Sequence, residues 1–206
     1  PDMLMPEPTA VDRKIAELII PYIVDGATLQ IGIGSMPNAL GDIIAESDLK
    51  DLGMHTELCS DAYLKMYLAG KLTNKYKQID RGKGVFGCAV GSKNLYDWID
   101  DNPGVAAYPL EYVNRPGVIG EIDNMVSINS AIQVDLMGQV NSEVVKGMQF
   151  SGVGGQVDFI RGATMSKGGR AIIALPSTAA GGKISKIVPF IDHGAVVTTC
   201  LLYTSD

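Results

Sequence analysis

The chain has 206 residues, of which 46% are hydrophobic and 19% are charged, so it can bury a sizeable core and is too apolar to be disordered. The formal net charge of −6 argues against non-specific binding to nucleic acid or to anionic membranes. It does not exclude an anionic substrate, because a local group of backbone N–H groups can bind an anion whatever the overall charge.

The cysteine and histidine content limits the chemistry further. Three cysteines without a C-x-x-C pair do not suggest a disulfide framework, and they favour a reducing, cytoplasmic environment. The two histidines, His55 and His193, are too far apart for a local metal-ligand motif, so no metal site is expected. No run of 18 apolar residues and no signal-like N-terminus is present, so neither a membrane segment nor a targeting segment is predicted.

Helical and extended segments alternate through the first half of the chain. Residues 9–25 predict a helix with Thr9 as its N-cap and a break at Pro21, and residues 28–34 predict a strand that ends in glycines. The remaining predictions are a helix from Pro37, a strand over 52–57, a helix from Ser60, a strand over 84–90 and a helix over 92–99.

The second half continues the pattern. Residues 118–128 and 131–140 are predicted to be rich in strand, the second as a hairpin around Gly138. A glycine loop is expected to turn into a helix over 154–163, and strands are predicted over 171–175, 187–190 and 195–199. This alternation predicts an α/β fold with an open, mainly parallel sheet that has helices on both faces.

The first candidate site is Gly32-Ile33-Gly34-Ser35-Met36-Pro37, between a predicted strand and a predicted helix. Glycines there let a ligand approach the backbone, and a helix N-terminus favours negative charge. Taken alone, the motif is better explained as a tight strand-to-helix turn, because the third glycine of a dinucleotide-binding fingerprint is missing.

The second candidate is Glu57, at the end of the strand predicted over 52–57. Ligands of open α/β sheets bind beyond the carboxyl ends of the strands, so this carboxylate could act as a base or a nucleophile. Position alone equally allows Glu57 to cap the helix near Ser60 or to pair with a surface cation. Cys59 is expected to be a small buried thiol.

The third candidate is residues 151–159, Ser-Gly-Val-Gly-Gly-Gln-Val-Asp-Phe. Three glycines in four residues before an amphipathic helix are typical of a loop that binds an anion or an oxyanion, and a merely flexible loop is the alternative.

Three segments in this order closely resemble the C-terminal domain of the acetyl-CoA hydrolase/transferase family: 29–37 (LQIGIGSMP), 52–57 (LGMHTE) and 151–159 (SGVGGQVDF). The resemblance covers nearly the whole chain and is strongest to members that exchange CoA between butyryl or 4-hydroxybutyryl groups and acetate. It implies a linker over 1–8 after a preceding N-terminal domain, a C-terminal domain over 9–199, and a tail over 200–206 that does not match. The Pro start and the abrupt end also suggest one domain of a longer polypeptide.

The resemblance also implies a function. Glu57 would attack an acyl-CoA thioester, and a glutamyl-CoA thioester would then pass CoA to a second carboxylic acid. Coenzyme A would be a substrate and no tightly bound cofactor is expected. The implied CoA-binding residues are Gly32, Ile33, Gly34, Ser35, Met36, Ala131, Gly154 and Gly155. Hydrolysis of acyl-CoA and non-catalytic acyl-CoA binding remain alternatives, and a homo-oligomer is expected.

Overall fold

The computed structural model describes residues 6–200, so most of the predicted linker and of the predicted tail lies outside the described residues. The helices are α1 (Ala10–Ile19), α2 (Ser35–Glu46), α3 (Asp61–Leu68), α4 (Lys93–Ile99), α5 (Leu110–Val113), α6 (Pro116–Gly120) and α7 (Gln156–Met165). The strands are β1 (Thr28–Ile31), β2 (Gly53–Cys59), β3 (Gly84–Ala89), β4 (Val105–Ala107), β5 (Met125–Asn129), β6 (Gln133–Asp135), β7 (Gln139–Asn141), β8 (Val144–Val145), β9 (Met148–Gln149), β10 (Arg170–Ile173), β11 (Thr178–Ala179), β12 (Ile184–Ser185), β13 (Ile187–Val188) and β14 (Thr199–Cys200).

The main sheet has six strands in the order β10-β5-β1-β2-β3-β4, and every neighbouring pair is parallel. The chain builds outward from β1 to β4 on one side and then returns to place β5 on the other side of β1. The strand order therefore reverses between β1 and β5, which is where ligands bind in doubly wound α/β sheets. The predicted fold class is confirmed.

Two apolar clusters cover the two faces of this sheet. One contains Leu29, Ile31 and Val126 and is covered by α1, α2 and α3, and the other contains Met125 and Phe159 and is covered by α5, α6 and α7. Neighbouring residues such as Met125 and Val126 enter opposite clusters because successive side chains of a strand point to opposite faces. The predicted helices on both faces are thus present.

Local chemistry explains several element ends. Thr9 and Asp12 form a reciprocal capping box at the start of α1, and Pro21 converts the end of that helix into a short 3-10 turn, as predicted. The predicted hairpin around Gly138 is also confirmed, because β6 and β7 are antiparallel and Gly138 has a φ of +76°. These strands belong to a separate four-stranded sheet in the order β13-β6-β7-β14.

Two predictions in the second half hold only in part. Residues 118–128 were expected to be strand-rich and do end in β5, but α6 occupies Pro116–Gly120, because Pro116 suits the first turn of a helix and Ile119 is directed into the core. Of the strand predicted over 195–199, only Thr199 belongs to a strand, β14, which pairs with β7. The short strand β4 and the hairpin β8–β9 were not predicted.

Candidate active site

Glu57 lies near the carboxyl end of β2, beside the reversal of strand order, and its side chain is half-buried. Because all six strands are parallel, the carboxyl ends of β1, β2 and β5 meet at the same edge of the sheet. His55 and Glu57 are two residues apart on one strand and therefore share the face covered by α5 and α7. This arrangement leaves one carboxylate at the edge where an α/β sheet accepts its ligand.

Asn114 holds the Glu57 carboxylate. Its amide Nδ2 donates a hydrogen bond to Glu57 Oε2 over 3.1 Å, and it immediately follows α5. The other amide atom, Asn114 Oδ1, is buried and has no hydrogen-bond donor within residues 6–200. Glu57 therefore accepts a hydrogen bond from a neutral amide. Within residues 6–200 it does not cap the N-terminus of α3 near Ser60, which was one of the alternatives. Asn114 could not be singled out from the sequence, because it lies between two short helices and belongs to no recognisable motif.

The glycine loop before α7 closes directly on the same carboxylate. Gly155 is the N-cap of α7, and a Cβ placed there would overlap Glu57 Oε2 and lie 2.7 Å from Asn114 Nδ2. Gly154 has a φ of +57°, and a Cβ on it would lie 4.0 Å from Glu57 Oε1. A side chain at Gly155 would therefore displace the Glu57 carboxylate or the Asn114 amide. The structure thus brings Glu57, Gly154 and Gly155 together, with Asn114 added to them.

Gln156 fastens this loop to the segment that follows β5. Its amide Nε2 donates to the carbonyl of Ser130 over 3.0 Å, and its Oε1 accepts from the Ser142 hydroxyl over 2.9 Å. Ala131 is buried next to Ser130, so this predicted CoA-binding position lies beside the anchored start of α7. The hydrogen bonds of Gln156 therefore fix the glycine loop in place, and the Gly155 backbone lies next to Glu57.

The Gly32–Met36 segment occupies a different part of the same edge. The Gly32 N–H donates to the Ile128 carbonyl over 2.9 Å, which ties the segment to β5, and the Met36 side chain is buried in the core. Burial opposes ionisation of Asp12, but hydrogen bonds from Thr9 and then from Ser35 hold the pKa of Asp12 below its usual value. A carboxylate therefore already lies beside the start of α2. No hydrogen bond found within residues 6–200 joins Gly32, Ile33, Gly34, Ser35 or Met36 to Glu57.

Two thiols near Glu57 are not activated. Cys59 is fully buried as expected, and burial, helped by the charge of Asp61, raises its pKa to about 12. Cys88 is exposed on β3 with its Sγ 3.6 Å from the Glu57 carbonyl oxygen, and partial burial together with the Glu57 charge raises its pKa. Since the thiolate is the reactive form, neither thiol is favoured as a nucleophile at this place.

Within residues 6–200, no three or more His, Cys, Asp and Glu side chains are grouped so that they could hold a metal ion. None of the helices in that range has the length and apolar character needed to cross a membrane.

The chain is similar to proteins of one known family. The model of the acetyl-CoA hydrolase/transferase C-terminal domain matches residues 91–202. The 4-hydroxybutyrate coenzyme A transferase of Clostridium kluyveri is 53% identical over 92% of the chain, and a probable butyrate:acetyl-CoA coenzyme A-transferase of Syntrophomonas wolfei is 51% identical over 93%. A more distant relative, an acetyl-CoA hydrolase of Yarrowia lipolytica, is 29% identical over 80% of the chain.

Solved structures agree with the sequence relatives. The crystal structure of RipA from Yersinia pestis superposes with a TM-score of 0.88 at 44% identity, over 96% of this chain and 44% of RipA. The chain likewise spans only 44% of the Clostridium protein and 43% of the Syntrophomonas protein, which is less than half the length of these relatives. The matched domain, the parallel sheet and the sequence relatives agree: the chain belongs to the acetyl-CoA hydrolase/transferase family.

Proposed function

We propose that this chain is the nucleophile-bearing part of a CoA-transferase that exchanges CoA between a short-chain acyl-CoA and a carboxylic acid such as acetate. The observation that carries the proposal is the contact of Glu57 with Asn114 and with the glycine loop at Gly155. Relatives of about 50% identity named as CoA-transferases for butyrate and 4-hydroxybutyrate support the substrate class.

The first half-reaction begins at the Glu57 carboxylate. One of its oxygens attacks the thioester carbonyl carbon, the carbon–sulfur bond breaks, and CoA leaves as a thiolate from a mixed anhydride. The thiolate then attacks the Glu57 side-chain carbonyl carbon, and the acyl group departs as a free carboxylate. The enzyme is left with a glutamyl-CoA thioester, so CoA remains on the protein between the two half-reactions.

The second half-reaction reverses these steps with a new acid. Its carboxylate attacks the glutamyl thioester, an anhydride forms again, and the released thiolate attacks the carbonyl carbon of the new acyl group. The new acyl-CoA leaves and the Glu57 carboxylate is regenerated. No oxidant, reductant or metal is required, because each step exchanges one acyl bond for another.

A carboxylate is a weak nucleophile, so donors must stabilise the charge that develops on the attacked oxygen. Asn114 Nδ2 already donates to Oε2, which is the oxygen that becomes an oxyanion when the thiolate attacks Glu57. The backbone of Gly154 and Gly155 lies beside the same carboxylate, and the first N–H groups of a helix lack acceptors within it, so they could receive the thioester oxygen. We assign the first task to Asn114 and the second to the glycine loop.

The proposal extends to partners. CoA would be bound as a substrate, with no tightly held cofactor, along Gly32 to Met36, Ala131 and Gly154, as the family resemblance implies. The enzyme would act in the cytoplasm, in line with its free cysteines, and as a homo-oligomer. Because the relatives are more than twice as long, we propose that an N-terminal domain of the same polypeptide completes the cleft.

Hydrolysis is the second candidate, because a relative named as an acetyl-CoA hydrolase shares this domain. Water would replace the acceptor acid, and the same Glu57 site would serve. The greater distance of that relative favours transfer. Loss of butyryl-CoA in the full-length protein should require added acetate, and equal loss without any acid would favour the hydrolase.

The direct test of the proposal is Glu57→Gln in the full-length protein. Glutamine keeps the size of the side chain and a partner for Asn114, but it cannot attack the thioester. Exchange of CoA between butyryl-CoA and acetate should fall by several orders of magnitude while the fold is retained. A variant that keeps more than about a tenth of the wild-type rate, a loss below ~1.4 kcal/mol, would remove Glu57 from the mechanism.

A further inference from the structure

A second residue of β2, His55, is bonded to the element that carries Asn114. The imidazole is fully buried, and its Nε2 lies 2.8 Å from the carbonyl oxygen of Val113, the last residue of α5. Asn114 follows directly and donates to Glu57, two residues further along β2. Two side chains of β2 therefore bond to successive residues at the end of α5. His55 bonds to the backbone carbonyl of Val113, and Glu57 bonds to the side chain of Asn114.

The ring also contacts the helix behind the glycine loop. Its centroid lies 6.2 Å from the Phe159 ring of α7 and 6.4 Å from the Tyr112 ring of α5. Helix α7 begins directly after Gly155, so His55 lies between the elements that bring Asn114 and Gly155 to the carboxylate.

The chemistry of the ring limits what it can do there. A nitrogen that faces a carbonyl oxygen must carry the hydrogen, so Nε2 is the donor. Burial, and then the charge of Lys77, lower the pKa of His55 to about 4, so the ring is neutral and Nδ1 keeps a lone pair. Nδ1 is buried and has no partner within residues 6–200. Within residues 6–200 the bond to Val113 is thus the one hydrogen bond that the ring makes.

We propose that His55 is a positioning residue: by donating to the Val113 carbonyl, it fixes the end of α5 so that the Asn114 amide meets Glu57. The inference rests on the proposed function of Glu57. His55 does not touch the reacting atoms. It acts through Asn114. Without His55, the backbone at Val113 is no longer fixed, and the Asn114 amide is no longer held in position to donate to Glu57.

The test compares two substitutions of His55 in the full-length protein. In His55→Gln an amide can still donate to Val113, whereas His55→Met fills the space without a donor. We expect His55→Met to lower kcat by about 10²-fold with the KM for butyryl-CoA within about threefold, because a displacement near 1 Å can cost that much in rate. His55→Gln should recover at least about tenfold of the loss. Equal losses in both variants would overturn the proposal.

A double-mutant cycle separates positioning from simple support of the fold. In an Asn114→Ala background the amide is already absent, so His55→Met should cost less than about threefold more. Phe159→Leu, a change in a ring that packs near His55 and that removes no hydrogen bond, is the matched control, and its effect should add to that of Asn114→Ala. Additive losses for His55→Met and Asn114→Ala would overturn the proposal. If His55→Met does not fold, His55→Asn, with a shorter amide, takes its place.

Crystal structures of the same variants give a readout that does not depend on activity. In His55→Met the distance from Asn114 Nδ2 to Glu57 Oε2 should exceed about 3.5 Å, beyond a hydrogen bond, while His55→Gln should keep it. An unchanged contact in His55→Met would overturn the role of His55 even if transfer activity is present. Absence of transfer in the wild type would instead count against the proposed function and leave this distance as the test.

Discussion

The two glycine-rich segments of this domain both precede a helix at the same edge of the parallel sheet, yet they differ in what their backbones meet. The segment before α7 lies against the Glu57 carboxylate so closely that a side chain at Gly155 would displace it. The segment before α2 is tied to β5 through Gly32 and has the Asp12 carboxylate near Ser35. Glycines before a helix therefore do not by themselves define a reactive site. What distinguishes the segment before α7 is that its backbone lies directly against the Glu57 carboxylate.

Among the changes that test this difference, Gly155→Ala should have the largest effect on the rate of CoA exchange. The new Cβ would overlap Glu57 Oε2 and crowd Asn114, so the carboxylate must leave its place. We expect the rate of CoA exchange in the full-length protein to fall by about 10³-fold or more, since both the nucleophile and its donor are displaced.

The matched control for Gly155→Ala is Gly152→Ala in the same loop, where a Cβ meets nothing within 4 Å. This variant should keep most of the exchange rate. Similar losses in the two variants would mean that general flexibility of the loop matters, and not its contact with Glu57.

Asn114→Ala tests the other donor at the carboxylate. The substitution removes the 3.1 Å hydrogen bond to Glu57 Oε2 without adding bulk. Loss of one oxyanion donor typically costs 10²–10³-fold in kcat, about 3–4 kcal/mol, and we expect a loss in that range. The KM for butyryl-CoA should change little, because the charge develops only near the transition state. A change confined to KM would make Asn114 a binding residue.

The two regions should also lose stability in different pH ranges. His55, two residues before Glu57 on β2, has a pKa lowered from 6.5 to about 4 by burial first and by Lys77 second, while the hydrogen bond with Val113 and then Asp80 act in the opposite direction. The unfolded chain then binds more protons between these values, so the free energy of unfolding should fall by about 3 kcal/mol as pH drops from about 6.5 to about 4.

Asp12, beside the other loop, has a lowered pKa, so its contribution is present above its ordinary value of 3.8 and is lost only below it. Denaturant unfolding of wild type and His55→Gln at several pH values separates the two groups. A His55→Gln variant with the same slope between pH 6.5 and 4 would show that another group causes it.

Ser35→Ala should have the smallest effect. The Ser35 hydroxyl lies close enough to Asp12 to help lower its pKa, so we expect any CoA bound at this loop to be held by backbone N–H groups. Affinity for CoA, measured by calorimetry on the full-length protein, should change by less than about threefold, below ~0.7 kcal/mol. A loss of tenfold or more would show that the hydroxyl contacts the ligand.

The architecture could be predicted from the sequence because its signals are local. The alternation of Leu29 and Ile31, the capping residues Thr9 and Asp12 and the break at Pro21 act within a few residues, and each is found where predicted. The helix α6 was missed because Val118 and Ile119 suit a strand as well as a helix, and the start at Pro116 decided between them. Short apolar runs carry that ambiguity in general.

The site was predictable only in part. Glu57 and the glycine loop could be singled out because each lies next to a recognisable strand end or helix start. Asn114 and the bond of His55 to Val113 depend on how α5 packs on β2, which brings together residues more than 50 positions apart. No spacing within the sequence encodes such a contact, so the donors that support Glu57 became visible only in the structure.

The most direct measurement is the mass of the peptide that contains Glu57 after the full-length protein is incubated with butyryl-CoA and no acceptor acid. A glutamyl-CoA thioester should add the mass of CoA less water to that peptide. Acetate added beforehand should discharge the adduct, and borohydride should reduce the thioester and fix the site. Cys59 and Cys88 are internal controls, because a disulfide with CoA would be released by a thiol reductant. No adduct on Glu57, or an adduct on a cysteine alone, would contradict the mechanism.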